Sequence, residues 1–490
     1  MEYDSNIPPS DLGNGFYQNP IIASGYADPS VIRVDSDYYM THARAGFRSL
    51  LIWHSRDLVN WEPGTFALTN NKLEVWAPEL VFCRETFYIY FYGNGKNFVI
   101  TAKNIDGPWS QPIDLNVPGI IDPGHAVDDK GRRYLFVANG KIIPLTDDGL
   151  ATDGEMQTVY DGWPVPEEWD IEGFCLESPK IINKDKYYYM LVAEGGTIGP
   201  PTSHLIAAAR AEDLTGPWEN SPHNPISHTF SKNEKWWSKG HGTLIDTPDG
   251  NWYIIYHGIL KDYRPLGRMT LMEPIEWMDD HWFRIPHGCN AADPIKKPEG
   301  SQLIHGYPLG DDFSAKTIGK QWYITQAFDM ERLKLENNTL ELCGQGTSLL
   351  DTIPLVIRPS HISYEITVEM MIEKNGGGGL TIFYSQDASC GIALYDGKIR
   401  LYNGTRKWDR RPVPFSGNRI FLRLKNNQNI VSPWYSQDGE TWQKINYCLD
   451  ISGYHHNNFR GFGFLGPGLF ALGQGRAIFK NFQYKGLERI

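Results

Sequence analysis

The sequence predicts an all-β protein, with a five-bladed β-propeller followed by a β-sandwich. Three observations lead to this prediction. Aromatic residues make up 13% of the 490 residues, and the chain contains 49 glycines and 32 prolines. Aromatic side chains favour strands, whereas glycine and proline favour the turns between strands. The third observation is a repeat of short aromatic runs along the first part of the chain.

The repeat consists of five aromatic runs spaced roughly 50 residues apart. They begin at Asp37, Phe87, Arg133, Tyr187 and Trp252. In three units a tryptophan (Trp61, Trp109 or Trp218) also follows at the end of a turn. Units of this length are typical of a propeller in which each unit forms one four-stranded blade. An irregular β-sandwich with similar hairpins is the alternative, but sandwiches seldom repeat at so long a period.

The character of the chain changes after the fifth unit. We predict an N-terminal extension at 1–17, the propeller at 18–293 and a linker at 294–310, which is rich in proline, glycine and charge. Segments after the linker alternate polar and apolar residues with period two, and a glycine-rich stretch at 376–379 is expected to form a turn between strands. This pattern predicts a jelly-roll, lectin-like β-sandwich at 311–490.

The charge and motif content exclude several classes of function. The chain carries 46 basic and 58 acidic residues, a net charge of −12, so we expect no nucleic-acid partner. No apolar run approaches the roughly 18 residues of a membrane-spanning helix, so no membrane partner is expected. The first residues lack the pattern of a signal peptide, which leaves a cytoplasmic or a processed, exported protein open. No nucleotide-binding motif is present, so no redox or nucleotide cofactor is expected.

The six cysteines are scattered, without a Cys-x-x-Cys pair or a histidine spacing typical of zinc. We therefore expect buried free thiols rather than a metal site.

Three acids share the same local sequence pattern near the start of separate predicted blades. Asp28 and Asp122 directly precede a proline, and Glu177 precedes Ser178-Pro179. A propeller binds ligands at its central channel, so these acids converge if the ring closes. Cleavage of a glycosidic bond needs a carboxylic acid to protonate the leaving oxygen and a carboxylate to activate water or attack the sugar. A lone Asp-Pro is usually a capped turn, but three acids with this local pattern in separate blades favour catalysis.

These acids, in this order and over five repeats, resemble glycoside hydrolase family 43. Further stretches that carry the resemblance are Leu51 to Trp61, Val75-Trp-Ala-Pro-Glu79, Gly240-His-Gly-Thr and Leu266-Gly-Arg-Met-Thr. Together they cover about residues 18–290. The chain from Asp311 onward resembles the β-sandwich that is appended in the xylosidase and arabinofuranosidase branch of that family.

The resemblance assigns catalytic roles by position. Asp28 is implied to be the general base that activates water, and Glu177 the general acid. Asp122 is implied to tune the pKa of the acid and to orient it. The family inverts anomeric configuration, which requires space for a water between acid and base.

The resemblance also implies substrate contacts. Trp76 is expected to stack on the terminal sugar, and Arg268 to reach a sugar hydroxyl and to lie near Asp122. His241 matches the histidine of the central channel, near a structural calcium ion or a water. Each has a purely structural alternative: packing between blades for Trp76, an ion pair for Arg268, and a buried hydrogen-bonding histidine for His241.

Two features depart from the family pattern. The acid motif is usually Glu-Gly-Pro, whereas serine occupies the middle position here, at Ser178. Glu172 lies close to Glu177 in the sequence and is a rival general acid, although lining the pocket rim or bracing the turn is the more favoured interpretation.

The resulting hypothesis is an exo-acting, inverting hydrolase that removes terminal α-L-arabinofuranosyl residues from hemicellulose-derived oligosaccharides. The alternatives are a β-D-xylosidase, a bifunctional enzyme and, less favoured, a non-catalytic carbohydrate-binding protein. No cofactor is required, although a structural Ca²⁺ is compatible with the family. We expect the sandwich to pack against the propeller and to lend a loop to the pocket rim; an independent carbohydrate-binding module is the alternative. Oligomeric state is left open.

Overall fold

The structure is a computed structural model that describes residues 9–43, 46–70, 72–404 and 412–490. Residues 1–8 of the predicted N-terminal extension lie outside this description. The chain is all-β, as predicted, and its first strand is β1 (Phe16–Tyr17). Two 3-10 turns, η1 (Arg264–Leu266) and η2 (Met330–Arg332), are the helical elements of the described residues. Across those same ranges, no helix is long and apolar enough to cross a membrane.

Five antiparallel sheets form the blades, each with its strands in chain order from the channel outward. Blade 1 contains β2 (Ala27–Val34), β3 (Asp37–Ala43), β4 (Arg48–Ser55) and β5 (Glu62–Thr69). Blade 2 contains β6 (Trp76–Cys83), β7 (Thr86–Gly93), β8 (Lys96–Ala102) and β9 (Ile113–Pro118). Blade 3 contains β10 (Gly124–Val127), β11 (Arg133–Val137), β12 (Lys141–Pro144) and β13 (Gln157–Thr158).

The last two blades complete the ring. Blade 4 contains β14 (Glu177–Lys184), β15 (Tyr187–Glu194), β16 (Leu205–Ala211) and β17 (Glu219–Asn220), with β18 (Ser227–His228) also paired to β16. Blade 5 contains β19 (Trp236–Asp246), β20 (Trp252–Leu260), β21 (Arg268–Trp277) and β22 (Phe283–Arg284). The innermost strands of blades 1 and 5, β2 and β19, contact each other and thereby close the ring.

The chain before blade 1 fastens this closure. Ile22 forms a bridge with Thr270 of β21, and the side-chain amide of Asn19 makes two hydrogen bonds of 2.9 Å with the backbone of Met272. Strand β1 pairs with β23 (Ile295–Lys296), so the predicted N-terminal extension and linker form a small sheet together. Backbone and amide hydrogen bonds between the two ends of the propeller therefore contribute to the closure.

The second domain is a sandwich of a seven-stranded and an eight-stranded sheet. The first sheet contains β24 (Trp322–Tyr323), β27 (Leu355–Ile357), β29 (Gly376–Phe383), β30 (Ser389–Tyr395), β31 (Lys398–Asn403), β32 (Val413–Pro414) and β37 (Gly466–Gly473). The second contains β25 (Leu333–Glu336), β26 (Thr339–Cys343), β28 (His361–Ile372), β33 (Arg419–Asn427), β34 (Ile430–Ser436), β35 (Gln443–Lys444), β36 (Leu449–Asp450) and β38 (Arg476–Arg489). Period-two burial along β28 and β33 matches the alternation in the sequence.

The glycine-rich stretch at 376–379 was expected to form a turn, and this expectation was wrong. These glycines begin the central strand β29, between β37 and β30. A Cβ on Gly379 would lie 1.9 Å from the carbonyl oxygen of Ile392, so the neighbouring backbone occupies the space of a side chain. The glycines therefore allow close strand approach rather than a reversal of the chain.

The cysteines are free, as expected, but only Cys390 is buried, and Cys175 and Cys448 are exposed.

The two domains share a buried apolar cluster, so the sandwich packs against the propeller. This cluster contains Tyr26 and Trp53 of the propeller together with Leu355 and Ile357 of the sandwich. The half-buried side chain of Arg358 has its guanidinium 4.1 Å from the ring centroid of Tyr26, at the same boundary. Burial of these rings against the second domain contributes to the stability of both.

Candidate active site

The innermost strands share a local irregularity that directs side chains into the channel. Their pairing register shifts between Ala27 and Ser30 in blade 1 and between Glu177 and Lys180 in blade 4. The residues directly before the prolines have left-handed backbone conformations, with φ of 53° at Asp28, 61° at Asp122 and 55° at Ser178. A following proline disfavours the right-handed helical region.

This backbone pattern places the acids differently in different blades. In blades 1 and 3 the acid itself has the left-handed φ, whereas in blade 4 Ser178 has it and Glu177 precedes it. Aspartate tolerates this region better than most residues.

His241 lies at the centre of the three acids. Its Nδ1 is 3.3 Å from Oδ1 of Asp28, and its Nε2 is 3.1 Å from Oε1 of Glu177 and 3.9 Å from Oδ2 of Asp122. The side chains of Asp28, Asp122 and His241 are nearly fully buried, whereas the side chain of Glu177 is 20% exposed. One imidazole therefore separates Asp28 from Glu177, and Glu177 has the greatest access to the cavity.

Asp28 has the most cationic surroundings of the three acids. Its Oδ1 accepts a hydrogen bond of 2.6 Å from Nη1 of Arg268 and lies 3.0 Å from Nδ1 of His257. Burial disfavours its charge, but Arg268, His241 and His257 outweigh burial and hold the pKa of Asp28 well below its usual range. Asp28 is therefore an ionised carboxylate. The contacts with Arg268, His257 and His241 all converge on Oδ1, and none of the three is made to Oδ2.

Asp122 has the opposite electrostatic environment. Burial, together with the charges of Glu177 and Asp28, raises the pKa of Asp122 to about 7. Its Oδ2 has no hydrogen-bond partner among the described residues. Burial disfavours the imidazolium of His241, but the three carboxylates outweigh it and raise the pKa of His241 to about 8. Asp122 and His241 therefore hold protons near neutral pH, whereas the neighbouring carboxylate of Asp28 stays ionised.

Two further histidines lie beneath His241. The rings of His204 and His257 stack with centroids 5.3 Å apart and planes 7° apart, and His257 lies 5.0 Å from His241. Burial lowers the pKa of His204 to about 4 and that of His257 well below its usual value, so both are neutral. A Cβ on Gly240 would lie 1.8 Å from Nε2 of His204, so glycine is required for this packing.

The calcium ion that the family resemblance allows does not fit these donors. Asp28, His241 and His257 form one cluster of metal-ligating atoms, and Glu177, His204 and His241 form another. Each cluster offers two imidazoles and one carboxylate, whereas Ca²⁺ takes six to eight oxygen ligands. No catalytic step is assigned to a metal below.

The acids open into a cavity of about 470 Å³. All six side chains named from the sequence line it: Asp28, Trp76, Asp122, Glu177, His241 and Arg268. Trp76 is 38% exposed at the start of β6, and its ring lies 6.1 Å from that of Phe462 in the sandwich. The segment 460–464 forms part of the rim, so the predicted loop from the second domain is present at the pocket.

Glu172, the rival acid, also lines the cavity but holds the rim. Its Oε2 accepts hydrogen bonds from the backbone amides of Ile198, at 2.7 Å, and Gly199, at 2.8 Å. On the other side of the same loop, Nε2 of His456 in the sandwich lies 3.0 Å from the carbonyl oxygen of Thr197. The rim loop is thus fixed from both domains.

Arg268 has a different partner from the one that the sequence predicts, and three further groups lie at the site without having been predicted. Arg268 was expected near Asp122, but its guanidinium donates to Asp28, because β21 contacts the inner strand β2 of blade 1. Sequence reasoning did not assign roles to His204, to His257 or to the segment 460–464. His257 lies within the aromatic run of blade 5, where a lone histidine resembles a core residue. Segment 460–464 carries no motif, and only the packing of the two domains brings it to the pocket.

Comparison with known families gives matches in both domains. The family described as "Glycosyl hydrolases family 43" matches residues 17–283, and the "Beta xylosidase C-terminal Concanavalin A-like domain" matches residues 310–485. A Xylan 1,3-beta-xylosidase from a Vibrio species is 30% identical, over 88% of this chain and 91% of the relative. A non-reducing end alpha-L-arabinofuranosidase from Bacteroides ovatus is also 30% identical, over 64% of this chain and 61% of the relative.

Solved structures match both domains at once. The GH43 protein BlXynB from Bacillus licheniformis has a TM-score of 0.87 at 27% identity, covering 96% of this chain and 100% of that one. The xylan beta-1,4-xylosidase from Bacillus halodurans has a TM-score of 0.83 at 26% identity, covering 96% and 99%. With its propeller, its sandwich and its three channel acids, this chain belongs to glycosyl hydrolase family 43.

Proposed function

We propose that this glycoside hydrolase is an exo-acting, inverting β-D-xylosidase that removes terminal xylosyl residues from hemicellulose-derived oligosaccharides. The observation that carries the proposal is the arrangement around His241. One carboxylate, Asp28, is held ionised by Arg268, and a second, Glu177, lies across the imidazole with partial access to the cavity. Hydrolysis with inversion needs two separate carboxyl groups, one that is charged and acts as the base and one that carries a proton and acts as the acid.

In the proposed mechanism Asp28 is the general base. Its Oδ1 is engaged by Arg268, His257 and His241, and Oδ2 is the oxygen that takes a proton from the attacking water. Glu177 donates its proton to the leaving oxygen as the bond to the anomeric carbon breaks. The ring of His241 between them supports a wide separation of the two carboxyls, which inverting enzymes use to admit a water.

Asp122 is proposed as a positioning residue for the acid. Its Oδ2 lies 3.9 Å from Nε2 of His241, the same nitrogen that lies 3.1 Å from Glu177, so Asp122 helps to fix the imidazole beside the acid. The pKa of Asp122 is raised to about 7 and that of His241 to about 8, so these two neighbours of Glu177 hold protons near neutral pH.

Xylose is proposed ahead of arabinose, which reverses the order expected from the sequence. The Vibrio relative, matched over nearly its whole length, is named a xylosidase, and so is the solved structure from Bacillus halodurans. The α-L-arabinofuranosidase of Bacteroides ovatus supports arabinofuranosidase action as the second candidate. Exo action is supported by segment 460–464 of the second domain, which adds a wall to the cavity.

The test is nitrophenol release from paired aryl β-D-xylopyranoside and α-L-arabinofuranoside substrates, with the product anomer followed by NMR. Faster release from the xyloside, with α-xylose as the first product, is expected. Faster release from the arabinofuranoside would select the second candidate. A first product of retained configuration would contradict the base role of Asp28, because a carboxylate would then act as the nucleophile.

A further inference from the structure

A cluster of aromatic side chains lies on the face of the propeller at which the catalytic pocket opens. It comprises Trp163, Trp169, His228 and Phe230, which we name the aromatic shelf. Building on the proposed function, we propose that the aromatic shelf binds the neutral sugar chain on the leaving-group side of the scissile bond. It would act as a distal substrate site for xylo-oligosaccharides longer than two units.

Topology places the shelf on the pocket face. Trp163 and Trp169 lie in segment 159–176, which connects the outer strand β13 of blade 3 to the inner strand β14 of blade 4. The far end of that segment lines the cavity with Glu172 and Cys175, just before Glu177. The shelf and the pocket wall are therefore parts of one continuous segment.

His228 and Phe230 reach the same face from a different direction. Strand β18, which ends at His228, pairs with Leu205 and Ile206 at the start of β16. The start of β16 directly follows the rim loop, and Thr197 and Ile198 of this loop line the cavity. His228 Nε2 donates to the carbonyl oxygen of Thr202 at 2.7 Å. Thr202 is four positions after Ile198, a span of at most about 14 Å, so an oligosaccharide of a few units connects shelf and pocket.

The shelf is rigid because its rings brace one another. Trp169 stacks on His228 with centroids 4.2 Å apart and planes 3° apart. Phe230 stands perpendicular to both, 4.7 Å from His228 and 5.9 Å from Trp169, and is 68% exposed. Trp163 and Trp169 are half-buried against the apolar core, and Phe230 supplies the exposed face of this contiguous aromatic patch, the kind of surface that ligand-binding sites use.

A buried carboxylate anchors the other end of the shelf. The backbone amide of Trp163 donates to Oε1 of Glu194 at 2.7 Å, and Glu194 is fully buried. Its second oxygen, Oε2, has no hydrogen-bond partner among the described residues. Burying a carboxyl group with one unmatched oxygen is costly. This costly group is the one that holds the backbone of Trp163 in place. The ring of Trp163 lies 6.0 Å from that of Trp169.

The chemistry of the segment defines the ligand. Residues 159–176 contain five acids and no lysine or arginine. These acids are Asp161, Glu167, Glu168, Asp170 and Glu172. Aromatic faces pack against the C–H faces of sugar rings, and carboxylates accept hydrogen bonds from hydroxyl groups. The other segment of the shelf, 228–239, contains three lysines and one glutamate, and Lys239 donates to the carbonyl oxygen of His228 at 3.1 Å. The two segments together still carry a net negative charge, which disfavours anionic chains, including uronic-acid-substituted ones. The shelf therefore suits a neutral, hydroxyl-rich chain.

The test compares kcat/KM for xylotetraose with kcat/KM for nitrophenyl β-D-xyloside, in wild type and in Phe230→Ala. We expect the ratio of the two values to fall roughly three- to tenfold in Phe230→Ala, the amount that one aromatic contact contributes. Phe82→Ala is the matched control. Phe82 is 41% exposed near the opposite end of β6 from Trp76, away from the pocket face, and the ratio should stay at the wild-type value.

Calorimetric titration with xylotetraose separates this inference from the proposed function. If no xyloside or arabinofuranoside is hydrolysed, yet the affinity for xylotetraose falls in Phe230→Ala, the proposed function fails and the shelf is supported. Equal ratios and equal affinities in Phe230→Ala and Phe82→Ala would overturn the shelf. Loss of self-association in Phe230→Ala, with unchanged sugar binding, would assign the surface to a second copy of the chain and also overturn the proposal.

Discussion

Arg268 donates through Nη1 to Oδ1 of Asp28 at 2.6 Å, which joins the last blade of the propeller to the first. Asp28 lies on β2 and Arg268 begins β21, so they meet only when the ring is closed. The charge state of the proposed base thus depends on closure. The same closure is fastened by Asn19 and Ile22.

Replacing Arg268 with methionine should shift the acidic side of the pH–rate profile. Arg268 is the largest cause that lowers the pKa of Asp28, so its removal raises that pKa. A base with a raised pKa is protonated, and inactive, at higher pH. We expect the acidic limb of the pH profile of kcat/KM to move toward neutral pH, in addition to any change in KM. Arg268→Lys should shift it less, and an unmoved acidic limb in Arg268→Met would contradict the electrostatic role.

Glu177→Gln should discriminate between substrates by their leaving groups. Glutamine cannot protonate the leaving oxygen, so hydrolysis of xylobiose should fall by about 10² to 10⁴. An aryl xyloside with a strongly acidic phenol needs little protonation and should lose much less. Asp28→Asn should impair both substrates alike, because water activation is needed for each. Parallel measurement of kcat for the two substrates checks this.

Glu172→Gln is the matched control for that experiment. The carboxamide oxygen of glutamine can still accept from the amides of Ile198 and Gly199. Activity on xylobiose should therefore be largely retained. Undiminished xylobiose hydrolysis by Glu177→Gln, with loss in Glu172→Gln, would exchange the two assignments.

A buried ion pair behind the acids should dominate the stability of the channel. Lys180 pairs with Glu79 of blade 2 and donates to the carbonyl oxygen of Pro78 at 2.9 Å; its side chain is 6% exposed. Glu79 also accepts from Ser30 Oγ of blade 1 at 3.1 Å. Lys180→Met leaves a buried carboxylate unpaired and should cost about 3–5 kcal/mol.

Urea denaturation of Lys180→Met checks this cost. The double variant Lys180→Met with Glu79→Gln removes the unpaired charge and should recover a large part of the loss. If the single variant unfolded at the wild-type urea concentration, the pair would contribute nothing to stability.

The sequence was sufficient for the fold because its signals are local. Each blade repeats an aromatic strand after a turn, and the acids Asp28 and Asp122 stand at the left-handed positions before proline that bend the inner strands. These signals can be read within one unit. The three acids follow from the same short motifs.

Contacts between distant parts of the chain were not predictable. The partner of Arg268 depends on ring closure, and the position of Phe462 at the pocket depends on how two domains pack. The glycines at 376–379 were mistaken for a turn because glycine marks both reversals and close strand approach. His257 resembled a core residue because its neighbours in β20 are apolar. No local pattern distinguishes these alternatives.

Ser178→Gly should stabilise the protein while preserving catalysis. Ser178 holds a φ of 55° directly before Pro179, and its buried Oγ has no hydrogen-bond partner among the described residues. A side chain at a left-handed φ costs about 1–2 kcal/mol, and an unpaired buried hydroxyl adds about 1–3 kcal/mol. Glycine removes both costs but loses roughly 0.5–1 kcal/mol in chain entropy. We expect a net gain of about 1 kcal/mol or more in the free energy of unfolding, measured in urea, with kcat near the wild-type value.

Ser178→Ala removes the hydroxyl and keeps the Cβ, so it should gain less than Ser178→Gly. A glycine variant less stable than wild type would show that the serine relieves rather than stores strain beside Glu177.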